Sequence, residues 1–275
     1  MKIAAVQMVS TPRVETNLET ARRLVARAAA EGAGLVALPE YFCFMGQSDR
    51  DKLAIAEAPG GGPIQRMLAE TARKHRVWLI GGTLPLTLDD AARRAGLAID
   101  RVMNADLVFS PQGELAARYD KIHLFAYDNG HERYDEGRTL RAGATPVAFD
   151  ADGVRVGLSV CYDLRFPELY RALMRPPCDL LSVPSAFTHT TGAAHWEVLL
   201  RARAIENQCY VIAAAQGGTH ENGRRTFGHS LIVDPWGEVV ACREEGEGVV
   251  VAELSRERIE SVRRQLPALE HRRTL

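Results

Sequence analysis

The chain has 275 residues, 46% of them hydrophobic and 25% charged, the proportions of an ordinary globular protein with enough apolar material for a sizeable core. Its 34 Lys and Arg against 35 Asp and Glu leave a formal net charge of −1, so there is no cationic excess to neutralise a nucleic-acid backbone or hold an anionic membrane. The cysteines (Cys43, Cys161, Cys178, Cys209, Cys242) are odd in number, scattered and without CxxC spacing, which argues against a disulfide framework and a zinc site and for a reducing compartment.

Residues 2 to 9 read as a strand with no basic leader and apolar core of a signal peptide, and no stretch approaches a membrane span, so a cytoplasmic protein is predicted. Val14, Leu18, Ala21, Leu24, Val25 and Ala28 recur at helical spacing until Gly32 and Gly34 stop the helix. Leu35 to Leu38 is a buried strand. A helix after Pro63, a strand over Val77 to Gly81, strands near 102–109 and 115–119, and the strand Val154 to Val160 follow. The second half repeats the alternation. A helix at about 166–174, a strand at 179–183, a helix at about 194–206, strands at 210–215, 228–234 and 248–254, and a last helix complete it. Interleaved strands and helices predict an α/β layered domain with helices over both sheet faces. With no short-period repeat, low-complexity segment or Pro/Ser linker, one domain over 1–275 is expected. Asp120 to Gly143 breaks the rhythm: it is polar and aromatic, carries Gly130 and Gly137, and has no clean period. Segments this long usually serve function, and this one is predicted to wall an active site.

In Val154-Arg-Val-Gly-Leu-Ser-Val-Cys-Tyr-Asp-Leu-Arg-Phe-Pro-Glu168, Cys161 stands where an apolar run stops and a Pro-Glu helix start begins. The N–H groups and positive end of that helix favour a thiolate there; the competing reading is a small core hydrophobe. Leu38-Pro-Glu-Tyr-Phe42 puts Glu40 just past a buried strand, at the carboxyl end of the sheet, where a carboxyl is suited to shuttling a proton. Alone it reads equally as a cap or a solvated group. Lys121, in Tyr119-Asp-Lys-Ile-His-Leu-Phe125, follows another strand and could support a thiolate or an oxyanion, although most lysines are solvated. Histidines are the usual partners of catalytic cysteines, but His123, His195 and His229 read as structural, and His189 and His195 lack metal-ligand spacing.

Together these stretches, with Ala5-Val-Gln-Met8 and Gly228-His-Ser-Leu-Ile-Val-Asp-Pro-Trp-Gly237, resemble the nitrilase superfamily of carbon–nitrogen hydrolases over nearly the whole chain. The resemblance implies a four-layer α-β-β-α sandwich that dimerises into an eight-layer α-β-β-α-α-β-β-α block, with a tail at about 255–275 in the dimer interface. It implies a Glu-Lys-Cys catalytic set carried onto Glu40, Lys121 and Cys161, and a second glutamate carried onto Glu136, although Glu132 and Asp135 compete for that place. The implied chemistry is attack of Cys161 on an amide carbonyl, proton transfer through Glu40, and an oxyanion held by Lys121 and the Tyr162 N–H. The substrate implied is a primary amide: Glu40 passes the thiol proton to leaving ammonia, a thioester forms, and water releases the acid. No cofactor is implied.

Pro184 to Gln216, Val239 to Cys242 and Gln265 to Arg273 resemble the branch that hydrolyses deaminated glutathione. The sister branch, omega-amidase, acts on alpha-ketoglutaramate and alpha-ketosuccinamate with the same catalytic set. Both substrates carry carboxylates, so Arg165 is a candidate cation, with a salt bridge to Glu168 or Asp163 as its competing reading. Thr188 and Thr191 are candidate hydrogen-bond donors, or else a helix N-terminal turn before Ala193. Tyr41 and Phe187 are candidate pocket walls. Ala126 to Asp135 departs from the Asp-Val-Pro-Gly pattern of both branches. A nitrilase acting on nitriles and a non-catalytic binding protein on the same scaffold are the alternatives from other classes; the intact Glu40, Lys121 and Cys161 speak against the second.

Overall fold

The computed structural model of the chain describes residues 1–88, 100–131 and 133–273. The first strand, β1 (Lys2–Gln7), runs parallel to β2 (Leu35–Ala37), which runs parallel to β3 (Trp78–Leu86). Antiparallel β4 (Val102–Phe109) and β5 (Leu115–Asp120) extend this sheet beyond β3. Its path then leads to a hairpin of β6 (Ala126–Asp128) and β7 (Arg133–Asp135), and to β8 (Leu140–Arg141), which returns to pair with β4. The segment expected to wall an active site therefore has short strands of its own.

A second sheet repeats the plan. Parallel β10 (Val154–Leu158), β11 (Leu180–Ser182) and β12 (Tyr210–Ala213) are flanked by antiparallel β9 (Ala148–Ala151), β15 (Ser230–Val233) and β16 (Val239–Arg243). A small hairpin of β13 (Gly217–Thr219) and β14 (Arg225–Phe227) projects beside it, and β17 (Gly248–Glu253) closes the first sheet against β1.

The period-2 alternation of side chains explains how the layers stack. Ile3, Ala5, Leu35, Ala37, Ile80 and Val108 face the second sheet, whereas Ala4, Val6, Val36, Leu79 and Leu107 face helices α1 (Val14–Ala30) and α2 (Pro63–His75). On the far side, α3 (Pro167–Leu173) and α4 (His189–Asn207) bury Leu169, Leu173, Trp196 and Leu200 against the second sheet. The result is an α-β-β-α sandwich, the fold implied by the resemblance. It corrects the expectation of helices over both faces of a sheet: each sheet is apolar on both faces, and gives one to helices and the other to its partner sheet. The last helix, α5 (Arg256–Gln265), starts at the Ser255 cap.

Local chemistry sets the ends of the helices. Pro63 opens α2, and the Glu57 carboxylate accepts the N–H groups of Ile64 at 2.6 Å and Gln65 at 3.1 Å. Helix α4 starts at His189 rather than near 194 because the Thr188 side chain caps it, accepting the Thr191 N–H at 3.3 Å.

The carboxyl ends of the parallel strands from both sheets meet at one place. Gln216, past β12, staples them: its Nε2 donates to Ser10 Oγ at 2.8 Å and to the Glu40 carbonyl at 3.1 Å, while its Oε1 accepts the Ser10 N–H at 3.0 Å. Gly82 makes a second close approach. With φ +64 at the irregularity in β3, it leaves no room for a Cβ, which would meet the carbonyl oxygens of Pro39 and Leu38 just before Glu40. Gly82→Ala is expected to lower stability by about 1–3 kcal/mol, read as a lower denaturant midpoint at unchanged slope.

Candidate active site

The centre of the site is a buried ion cluster. Glu40, just past β2, and Lys121, just past β5, are each 1% exposed, and Glu136 opens a short 3-10 turn after β7. Lys121 Nζ donates to Glu40 Oε1 at 2.9 Å and to both oxygens of Glu136, at 3.1 and 2.8 Å. Glu40 Oε1 also accepts Asn104 Nδ2 at 2.9 Å, and its Oε2 accepts the Ala186 N–H at 3.1 Å. Glu136 is held by the Phe125 N–H at 2.7 Å and by the Tyr41 hydroxyl at 2.7 Å.

Burial alone disfavours the Lys121 ammonium, but the carboxylates of Glu136 and Glu40 outweigh it and hold its pKa well above the ordinary lysine value. Burial likewise works against the Glu136 carboxylate, and Lys121, helped by Lys52, outweighs it and holds Glu136 below its ordinary value. The cluster thus holds the Lys121 ammonium against the Glu136 carboxylate, with the Glu40 carboxyl group on its other side.

Cys161 sits at a sharp elbow after β10. Its φ of 49° is in the left-handed region, rare for a residue with a side chain. The strain is held from outside: the Cys161 N–H donates to the Pro184 carbonyl at 2.9 Å, and the Asp163 carboxylate accepts the Val160 N–H at 2.8 Å. Asp163 ties the elbow to the Lys121 strand end as well. Its oxygens accept the Tyr119 hydroxyl at 2.7 Å and the His123 N–H at 3.0 Å, and its Oδ1 lies 2.7 Å from His123 Nδ1.

The thiolate expected from the helix start is not the resting form. Burial first, and then the Glu40 carboxylate, push the Cys161 thiol well above its ordinary pKa, and these outweigh the opposing pull of Lys121 and the Ala186 N–H. The helix starts only at Pro167, after a 3-10 turn over Cys161–Arg165, so its positive end is displaced from the sulfur. The site therefore places a protonated thiol beside the Glu40 side chain.

Around the sulfur lies a tight cavity of about 20 Å³, lined by Glu40, Glu136, Cys161, Tyr162, Arg165, Phe187, Thr188 and Thr191 among others. Every predicted site residue except Lys121 and Tyr41 lines it; Lys121 lies behind its two glutamates and Tyr41 reaches Glu136 from the side. The Tyr162 N–H, next to the sulfur, has no acceptor among the described residues. Arg165 pairs with neither Glu168 nor Asp163; its Nη1 lies 3.2 Å from His195 Nδ1 and its guanidinium lies over Phe187, 5.4 Å from the ring centre. Thr188 and Thr191 combine both readings, since their hydroxyls are 2.9 Å apart at the cavity while Thr188 caps α4.

None of the three histidines expected to be structural lines the cavity. His123 stacks on Phe166 at 3.7 Å and His229 on Phe227 at 4.0 Å, while His195 faces Arg165. Asp135 pairs with Arg138 and leaves the second-glutamate place to Glu136, whereas Glu132 lies outside the described residues. Among the described residues, no three His, Cys, Asp or Glu side chains are grouped to hold a metal ion, and no helix is long and apolar enough to cross a membrane.

Sequence reasoning missed Asn104, the clamp role of Asp163, Gln216 and Arg224. Asn104 carried a usable signal, since it and Asp106 are the polar side chains of a strand whose other residues are apolar. The others contact the site through residues far away in the chain.

The ion cluster has a stability consequence. Lys121→Met leaves two carboxylates buried without their cation, and is expected to cost about 3–5 kcal/mol at pH 7. In the wild type the lowered Glu136 pKa stabilises the fold above the ordinary carboxylate range, and that contribution is lost as pH falls through the lowered value. In the variant the sign reverses, because the unpaired carboxylates take up protons more readily folded than unfolded. The deficit should shrink as pH falls from 7 to 5, as measured by denaturant unfolding across that range.

Comparison with known proteins places this geometry. Residues 2–264 match the family described as carbon-nitrogen hydrolase. The chain is 41% identical over 272 residues to a deaminated glutathione amidase of Synechocystis sp., covering 98% of this chain and 97% of that protein. Its fold superimposes on the crystal structure of Saccharomyces cerevisiae Nit3, a member of branch 10 of the nitrilase superfamily, with a TM-score of 0.88 at 33% identity, over 100% of this chain and 97% of the other. The C. elegans NitFhit protein gives a TM-score of 0.86 at 38% identity; 99% of this chain is covered, and it spans 65% of that longer one. The chain belongs to the carbon-nitrogen hydrolase family of the nitrilase superfamily, and is a hydrolase of carbon–nitrogen bonds in non-peptide amides.

Proposed function

We propose that the protein is a deaminated glutathione amidase in which Cys161 is the nucleophile, Glu40 the proton shuttle, Lys121 and the Tyr162 N–H the oxyanion donors, and Glu136 the residue that positions Lys121. The observation that carries this is a neutral buried thiol facing a carboxylate that Lys121 and Asn104 hold in place. As the sulfur attacks the carbonyl carbon, its proton passes to Glu40 and the carbonyl electrons move to oxygen, where Lys121 and Tyr162 N–H meet the charge. Collapse of this intermediate breaks the C–N bond, and Glu40 returns the proton to the leaving nitrogen. Glu40 then takes a proton from water, which attacks the thioester and frees the acid and the thiol.

Relatives named for deaminated glutathione support the substrate assignment. That compound joins a five-carbon keto-diacid through an amide to cysteinylglycine, so its leaving group is a dipeptide amine; ammonia is the product only for a primary amide such as alpha-ketoglutaramate. Arg165, lining the cavity with no carboxylate partner among the described residues, suits the acid group of the acyl half, and Thr188 and Thr191 offer it hydroxyls. Phe187 packs as its apolar wall.

A cysteine nucleophile works only when reduced, and five unpaired cysteines support a cytoplasmic setting. A homodimer is supported by the apolar side chains left in solvent: Val198 (62% exposed) and Ile205 (49%) on α4, Trp236 (55%), and Leu266 (52%) in the tail after α5.

Two outcomes test this. Purified protein should release cysteinylglycine from deaminated glutathione, and Cys161→Ala should stay folded with turnover at least about 10³-fold lower; substantial residual turnover rules out the nucleophile. Val198→Glu combined with Ile205→Glu should shift the protein from dimer to monomer in sedimentation, and a wild type that already sediments as a monomer defeats the assembly reading.

A further inference from the structure

The catalytic cavity, at about 20 Å³, is far smaller than a tripeptide-derived amide, so part of such a substrate must lie outside it. Beside it opens a cleft of about 520 Å³, within the roughly 300–1,000 Å³ of small-molecule sites. Two residues join them. Arg224 lines both, and Tyr41, a wall of the cleft, hydrogen-bonds Glu136 in the cavity. The cleft is cationic: Lys52, Arg133, Arg224 and Arg225 line it against Asp49.

Most of that charge is already matched. Lys52 pairs with Asp49, Arg133 with Asp128 and Arg225 with Glu245. Arg224, alone among the Lys and Arg side chains lining the cleft, has no carboxylate partner among the described residues. Its Nη2 donates to the Ala186 carbonyl at 2.8 Å, its guanidinium lies 5.1 Å from the Tyr134 ring centre, and its Nε is buried with no acceptor. A buried charged donor without a partner is costly unless a ligand completes it.

Direction follows from the chemistry. The proton for the leaving nitrogen comes from Glu40, so the amine half lies on the Glu40 side, and Tyr41, its neighbour in the chain, lines the cleft. Arg165, Thr188 and Thr191 line the cavity and not the cleft, which assigns them to the acyl half.

We propose that this cleft is the leaving-group subsite, built for a peptide-like amine that ends in a carboxylate, and that Arg224 makes the enzyme prefer such amides to primary ones. The inference rests on the amidase reading above and adds the part of the substrate that the catalytic set does not contact.

Deaminated glutathione and alpha-ketoglutaramate test it directly, because they share the acyl half and form the same thioester; only the leaving group differs. The ratio of their kcat/KM values therefore isolates the cleft. Arg224→Gln should lower this ratio by about 10- to 100-fold, the size of a lost charge-assisted hydrogen bond. Arg224→Lys, which keeps the charge, should recover part of the ratio and serves if the glutamine variant folds poorly. Cysteinylglycine should inhibit the wild type as a competing ligand and lose at least about 10-fold in potency against Arg224→Gln. Equal losses for both substrates in both variants would show that Arg224 only braces the Ala186 loop, and would overturn the subsite. A preference that survives both variants overturns it as well. The amidase reading fails separately, in the wild type alone, if neither amide is turned over; a wild type that hydrolyses both without preferring the peptide-like one overturns the subsite while the amidase stands.

Discussion

The Lys121 ammonium, enclosed between Glu40 and Glu136, is the constraint on which the rest of the site depends. Two carboxylates cannot be buried side by side without a cation, and a cation cannot be buried without anions. Each therefore fixes the others. Because Glu40 ends β2, Lys121 ends β5 and Glu136 follows β7, satisfying the charges also sets where three chain segments stop. Asn104 and the Ala186 N–H occupy further lone pairs of Glu40, so the carboxylate has one orientation toward the sulfur. Stability and reactivity are here properties of the same contacts.

The double-sheet architecture supplies the meeting place. Residues from the first sheet (Glu40, Asn104, Lys121) and from the second (Cys161, Ala186, Gln216) converge because both sheets present the carboxyl ends of their parallel strands to the same edge. Asp163 acts across this seam. By accepting from Tyr119 and His123 of the first half and Val160 of the second, it fixes the Cys161 elbow relative to the strand end that carries Lys121. One aspartate thus couples the two halves through hydrogen bonds to both, the kind of preorganisation on which electrostatic stabilisation depends.

Much of this was legible in the sequence because strand ends are written in hydrophobicity. The runs ending before Glu40, Lys121 and Cys161 mark where side chains leave the core, and the reactive types at those ends stand out against it. Two kinds of information were not local. The ionisation of Cys161 depends on burial and on a glutamate 121 residues away, and they reversed the expectation drawn from the helix start. The pairing of faces was hidden too, since an apolar strand does not declare whether a helix or another sheet covers it. The start of α4 was misplaced because a threonine cap resembles any polar loop residue, and the hairpin of β6 and β7 because three-residue strands are too short to show a period. Arg224 lacked any signal, being one of two adjacent arginines where a loop enters β14; the cavities it borders distinguish it.

The neutral resting state of Cys161 reaches beyond the reaction. Peroxides and soft electrophiles attack thiolates, and a sulfur that keeps its proton until a carbonyl is seated beside it offers them little. Cys43, Cys178 and Cys209 are screened by burial, which leaves Cys242 as the exposed sulfur. The sulfur at the elbow is thus carried in a latent form, and the exposed sulfur lies outside the active site.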